Sequence, residues 1–298
     1  MTSPQLEKSD YGEISLKRNP TSPRTLFGLV MSGIAGLFTL AAIIPLLIIL
    51  SYLITKGVSS LSAAVFTELP PPPLVDGGGF GNAILGTVLM VGIGALISIP
   101  LGIMAAIYLS EFNEGKVAEW IRFATNVLSG VPSIIVGVFA YGVIVLTFKS
   151  YSAWAGGFAL SILMLPIIVR TTDESLKLVP QDVRQASVGI GANQYQTVLQ
   201  VVLPAALPAI ITGITLAIAR AAGETAPLLF TALFPQFWPN WDALLVEPTA
   251  SLAVLVYNFA IVPFKNQQEL AWGAAFILVM LVLFTSILSR VATAKRTY

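Results

Sequence analysis

The chain contains no cysteine and no histidine. The first absence excludes disulfides and thiolate nucleophiles, though it does not fix a redox compartment; the second excludes imidazole proton relays. Together they remove most zinc chemistry. Charge is also scarce. Only 10% of the 298 residues are Asp, Glu, Lys or Arg, against about 25% in soluble globular proteins. Net charge is +1, so no nucleic-acid partner is implied. The G-x-x-x-x-G-K-[ST] pattern is missing, so this chain does not hold ATP in a P-loop. Energy for any pumping must come from another subunit or an ion gradient. No short-period repeat and no second soluble domain is visible. No paired-carboxylate site falls within the apolar runs, which disfavours an intramembrane enzyme.

What fills the chain instead is apolar sequence, at 56% of residues. Uncharged runs cover residues 25–55, 77–110, 123–148, 150–169, 204–219 and 270–289. The first is too long for the apolar core of a signal peptide, so it reads as a retained span. The fold class is therefore all-α, a polytopic integral membrane protein with about six transmembrane helices. Residues 1–24 read as a polar cytoplasmic tail, 25–290 as the transmembrane domain and 291–298 as a second cytoplasmic tail. Residues 56–79, with four consecutive prolines and three glycines, predict a loop. Pro100 predicts a kink and Lys149 a tight turn. Residues 234–263 predict an outside loop with one short apolar helix near 251–261.

Six spans place both termini on one side. With the N-terminus inside, eleven Lys and Arg face the cytoplasm and three face out, with Arg170 and Arg220 left within the membrane. That asymmetry favours cytoplasmic termini. It also places residues 184–204, RQASVGIGANQYQTVLQVVLP, on the cytoplasmic side. Gly191 suits the positive φ of a helix C-cap, so two short helices bent at Gly191 are expected, the second running over 194–202 into Pro204. This elbow, 182–203 in all, is too polar to insert.

Charged side chains inside spans mark functional sites by default. Arg220 lies sixteen residues beyond Pro204, about 24 Å of helix. Glu224 is one turn further and within pairing reach. A pair that only neutralises itself is the alternative. Gly223 and Pro227 predict a helix break that frees backbone N–H groups for an anion. Arg170 stands at the end of an uncharged run, with Asp173 and Glu174 at i+3 and i+4. An interfacial anchor is the alternative there. The hydroxyls of Thr171, Thr172 and Thr225 add neutral donors. Guanidinium forks match the oxygens of a small oxyanion. A carboxylate nearby repels sulfate but accepts a hydrogen bond from a protonated phosphate.

The elbow resembles the EAA loop of ABC-importer permeases. Gln185-Ala186-Ser187 stand at the Glu-Ala-Ala place, Gly191 matches, and Val201, Leu203 and Pro204 fall at the Ile-x-Leu-Pro place. Gln185, Ser187 and Val201 depart from that pattern. GVPSIIVG at 130–137, RTT with an acidic residue next, IPLGIMAAIYLSEF at 99–112 and above all IARAAGETAPLLFTA at 218–232 resemble the A-type permease subunits of bacterial phosphate-specific ABC importers. The resemblance covers roughly residues 82–237. It implies a type I importer fold in the bacterial inner membrane and a second homologous permease subunit. It also implies an ATPase dimer that binds ATP and magnesium, with no cofactor in this chain, and a periplasmic phosphate-binding protein. The elbow would dock in a cleft of the ATPase. Arg170, Asp173, Arg220 and Glu224 fall at the family's intramembrane charged positions, with Asp173 shorter than the glutamate often found there. Another oxyanion, such as molybdate or sulfate, and an ion-coupled carrier outside the ABC family stand as alternatives.

Overall fold

A computed structural model describes residues 22–112, 115–240, 243 and 246–294, with side chains to 291. Most of the expected N-terminal tail and residues 295–298 of the C-terminal tail lie outside them, as do four residues of the 234–263 loop. All regular elements among the described residues are helical. Two units are distinguished, Met1–Tyr52 and Leu53–Tyr298. The first contributes most of the long helix α1 (Pro23–Ser59), with Pro45 inside it. The second holds everything else.

After α1 comes a single turn of helix, α2 (Ala64–Thr67), so the stretch expected as loop is helical at its start and again at 64–67. The proline run follows as loop. Next are α3 (Gly81–Glu111), α4 (Lys116–Gly130) and α5 (Ser133–Ala140), which continues through a π turn into α6 (Leu146–Phe148). Lys149 adopts a left-handed conformation at φ 54°, which makes the expected tight turn. Then α7 (Ala153–Lys177) starts on a Ser152 side-chain cap. The elbow is α8 (Gln181–Gly189) and α9 (Gln194–Gln196), followed by a π turn and α10 (Leu203–Ala222). Finally come α11 (Ala226–Thr231), α12 (Leu252–Ala260) and α13 (Lys265–Ala294). The short outside helix expected near 251–261 is α12.

Among the described residues, five helices are long and apolar enough to cross a membrane: Pro23–Ser59, Gly81–Glu111, Ala153–Lys177, Gln194–Ala222 and Lys265–Val291. A sixth span exists only if Lys116–Gly130 and Ser133–Phe148 are one broken crossing, for they meet at 107°. The uncharged run 123–148 is therefore not the single helix that its composition predicts. Pro132 explains the break. A proline disfavours helical backbone at the residue before it, and Val131 is extended at φ −74°, ψ 128°. α3, in contrast, continues through Pro100.

α3 and α7 run side by side at the centre of the second unit. Small residues let their backbones approach. A Cβ on Gly157 would sit 2.5 Å from the Ile93 side chain, and one on Gly102 would sit 2.7 Å from Ile168. Close approach of this kind replaces hydrophobic driving force between helices in lipid. α10 packs against α7 where Gly213 meets the Thr171 side chain. Met90, Leu160, Met164, Ile168, Ala217 and Ala221 form the buried core of this three-helix contact. At the end of α3 away from the elbow, the Asn82 amide donates to the carbonyls of Pro235 (3.0 Å) and Phe237 (3.2 Å). There Thr87 also accepts from the Leu252 N–H at 2.8 Å. These bonds tie the 235–252 segment onto α3.

Candidate anion path and coupling elbow

A cavity of about 270 Å³ lies between α4, α7 and α10. Among the described residues it is lined by Leu128, Ser129, Val131, Leu163, Pro166, Ile167, Arg170, Thr171 and Arg220. The four residues from Leu163 to Arg170 recur at helical spacing and so present one face of α7. Ser129 and Val131 come from the bend before Pro132, so the broken helix opens a wall of the cavity. The two arginines read from the sequence as candidates, fifty residues apart and on different helices, thus line one space. They occupy different heights in it. Gly213 is level with Thr171, and Arg220 is seven residues further along α10, about 10 Å of rise.

Arg220 Nε lies 3.5 Å from Glu224 Oε1, with 60% of the arginine side chain exposed and 16% of the glutamate. The i,i+4 pairing read from the sequence is therefore present. α10 ends at Ala222 and α11 begins at Ala226, so the chain breaks where Gly223 and Pro227 predict. At the break the N–H groups of Gly223 and Glu224 are held by the carbonyls of Arg220 and Ala221. Thr225 is the residue before α11. Its side chain makes no cap, while its carbonyl accepts from Leu228 and Leu229.

Arg170 differs from expectation. Neither Asp173 nor Glu174 pairs with it among the described residues. Asp173 instead binds Lys177 Nζ at 2.5 Å and approaches Arg122 at 3.9 Å. Lys177 stands at i+4 on the same helix, and Arg122 is delivered by α4, where it also donates to the Leu109 carbonyl at 3.1 Å. Two cations reach Asp173 before Arg170 does. Glu174 is exposed and outside the cavity lining. Arg170 is exposed toward the cavity, with Thr171 beside it donating to the Ile167 carbonyl at 2.8 Å.

The elbow has the expected shape. Gly191 takes φ +94°, the left-handed region where a Cβ is costly. The N–H of Gly191 bonds to Val188 O and that of Ala192 to Ser187 O, closing α8. Asn193 then opens α9 with a capping box: its side chain accepts from the Gln196 N–H, and the Gln196 side chain accepts from the Asn193 N–H, both at 2.9 Å. The second limb does not stop at Pro204. It runs as Gln194–Ala222 through a π turn at Thr197–Val202, a wider helical register that tolerates the N–H a proline lacks.

Within the elbow, Ser187 is buried and its hydroxyl lies 3.0 Å from that of Thr197, which clasps the limbs together. Gln185, Ala186 and Pro204 are exposed, and Leu203 is half-buried. Sequence reasoning passed over two features here. One is the apolar surface of the elbow, where Val188 is 59% exposed, Ile190 88%, Tyr195 66% and Leu199 58%. The other is Arg184, whose guanidinium lies 2.5 Å from the Glu111 carboxylate. The Ile190 exposure was readable from its place beside Gly191. The Glu111 pairing was not, because the partners stand 73 residues apart.

Comparison with known proteins agrees with this architecture. The family model described as binding-protein-dependent transport system inner membrane component matches residues 98–296. The phosphate transport system permease protein PstA of Yersinia pestis is 44% identical over 246 residues, 82% of either chain. That of Haemophilus influenzae is 41% identical over 262 residues, covering 88% of this chain and 92% of its own. Among solved structures, an inward-facing MetNI methionine ABC transporter has a similar fold. Its TM-score is 0.58 and its identity 19%, with 73% of this chain and 94% of that chain covered. The chain belongs to the family of binding-protein-dependent transport system inner membrane components, the multi-pass membrane permeases of ABC transporters.

Proposed function

We infer that the chain is a permease subunit of an ATP-driven importer of inorganic phosphate and forms its anion path. The observation that carries the reading is the shared cavity of Arg170 and Arg220, with Glu224 held 3.5 Å from the second guanidinium. Two forks offer donors to oxyanion oxygens. The carboxylate accepts a hydrogen bond from the protonated oxygen of HPO₄²⁻ or H₂PO₄⁻ and repels fully ionised sulfate. The names of the relatives point to the same cargo. An anion passing from one arginine to the other exchanges guanidiniums whose backbones stand about 10 Å of helix rise apart and avoids an unpaired stay in low dielectric. Glu224 restrains Arg220 when the path is empty. Thr225 is a neutral donor beside the path, the Thr171 hydroxyl being given to the Ile167 carbonyl, whereas Asp173 and Glu174 act at its rim.

The remaining parts follow from the family and the surface. The elbow, through Gln185, Ala186, Gly191 and the exposed Val188 and Ile190, docks on a separate ATPase dimer that holds ATP and magnesium. Ser187 and Leu203 shape it from within, and Pro204 lies exposed at its end. A second homologous permease subunit completes the transmembrane pathway. Both termini are cytoplasmic, as the Lys and Arg distribution favours. The 235–252 segment and the proline loop then face a periplasmic phosphate-binding protein. Competition in reconstituted vesicles tests the cargo. Unlabelled phosphate should suppress labelled phosphate uptake, and equal sulfate or molybdate should not. Suppression by sulfate or molybdate as strong as by phosphate would reject phosphate selectivity.

A further inference from the structure

Glu111 is the last residue of α3, where a carboxylate meets the negative end of the helix dipole. Such a residue needs a cation, and Arg184 supplies it. The guanidinium does more than pair with Glu111. Its Nη2 donates to the Leu176 carbonyl at 2.7 Å, and its Nε points to the Val179 carbonyl at 3.4 Å, both at the end of α7. One cation thus caps the C-terminal end of α7 and neutralises the carboxylate at the end of α3. The pair is well covered, with side-chain exposures of 16% for Arg184 and 8% for Glu111. The second limb of the elbow grips the same place. Gln194 donates to the Glu111 carbonyl at 2.9 Å, and the Phe112 and Tyr195 rings lie 5.2 Å apart. Ser110 satisfies the other carboxylate oxygen at 3.1 Å.

We propose that Glu111 and Arg184 are positioning residues that make the coupling elbow one rigid body with α3. A displacement of the elbow then travels along α3, 31 residues or about 46 Å of rise, to the end where Asn82 holds the 235–237 loop. The inference rests on the reading that the elbow docks on an ATPase. The two sites at the ends of the permease, ATPase and binding protein, would be coupled through a rod rather than through the cavity. A merely structural role would cost assembly. A positioning role costs phosphate moved per ATP hydrolysed.

This chain has no cysteine of its own, so a pair introduced into it supplies its only thiols in the full transporter complex. Glu111→Ala should retain the bound ATPase while uptake per ATP falls about fivefold or more. Arg184→Lys should recover little, because a point charge cannot serve three acceptors as a fork does. A chain carrying Glu111→Cys and Arg184→Cys should be equally uncoupled. Bridging those thiols with a short bis-maleimide should return uptake per ATP to within about twofold of the parent, since a rigid body tolerates a rigid link. A bridge that blocks uptake, or leaves it uncoupled, would show that the elbow must move against α3 and overturn the inference. So would a parental coupling ratio in Glu111→Ala. Gly191→Val run alongside separates the underlying reading. If that variant keeps its ATPase and its uptake, the coupling role of the elbow fails and the inference with it. If Gly191→Val loses the ATPase but Glu111→Ala is fully coupled, only the inference fails.

Discussion

Two guanidiniums from different helices share one cavity, and among the described residues Arg220 alone has a carboxylate within pairing distance. That asymmetry gives each a different expected response to substitution. Arg220→Gln keeps polarity, removes the charge and strands Glu224. Insertion should be unaffected, since removing an intramembrane charge does not penalise it. Phosphate uptake in vesicles should nevertheless fall below about a tenth of the parent rate, the loss of one charge-assisted contact. Arg220→Lys should recover little of it, because the planar fork is lost. Asp173→Asn should behave differently. Its partners are Lys177 and Arg122, so uptake should be retained and thermal stability of the purified complex should drop modestly. Equal loss of uptake in Asp173→Asn and Arg220→Gln would put Asp173 back in the path. The Arg220 pairing was legible because i,i+4 spacing is local. The partners of Asp173 were not, because Arg122 arrives from another helix.

At the scale of elements, the elbow and the broken helix carry the most. The elbow was legible from one glycine and one proline, since each fixes backbone locally; the Asn193 capping box was not read from the sequence. Its continuation past Pro204 was not, because a π turn has no composition signature. Gly191 has open space around an added Cβ but a φ of +94°, so Gly191→Val is strained by backbone alone, at a cost on the order of 1–3 kcal/mol. The expected outcome is an inserted permease that no longer co-purifies with its ATPase. Normal association would detach the elbow from coupling. The bend at Pro132 was hidden inside an uncharged run that hydropathy reads as one span. α7 and α10 meet through Gly213 with no room for a side chain. Gly213→Leu should therefore destabilise the permease by about 1–3 kcal/mol or more through overpacking, read as a lower melting temperature in detergent.

For the whole molecule, composition and the uncharged runs yielded the helical membrane class and five of the six expected spans as single helices among the described residues. What escaped was the contact between distant segments: Glu111 with Arg184, Asn82 with the 235–237 loop, and Gly213 with Thr171. Each depends on three-dimensional packing of α3, α7 and α10. The same packing brings Arg170 and Arg220 to one cavity, and the central claim is that Arg220 meets the anion there rather than merely neutralising Glu224. Phosphate uptake by the Arg220→Gln, Glu224→Gln double variant, in vesicles holding the complete complex with loaded binding protein outside and ATP inside, tests this most directly. With the glutamate neutral, no stranded charge remains to explain a defect. The account predicts that the complex assembles, hydrolyses ATP and still takes up no phosphate. Restored uptake in the double variant would contradict it, because the arginine would then be only the partner of the glutamate.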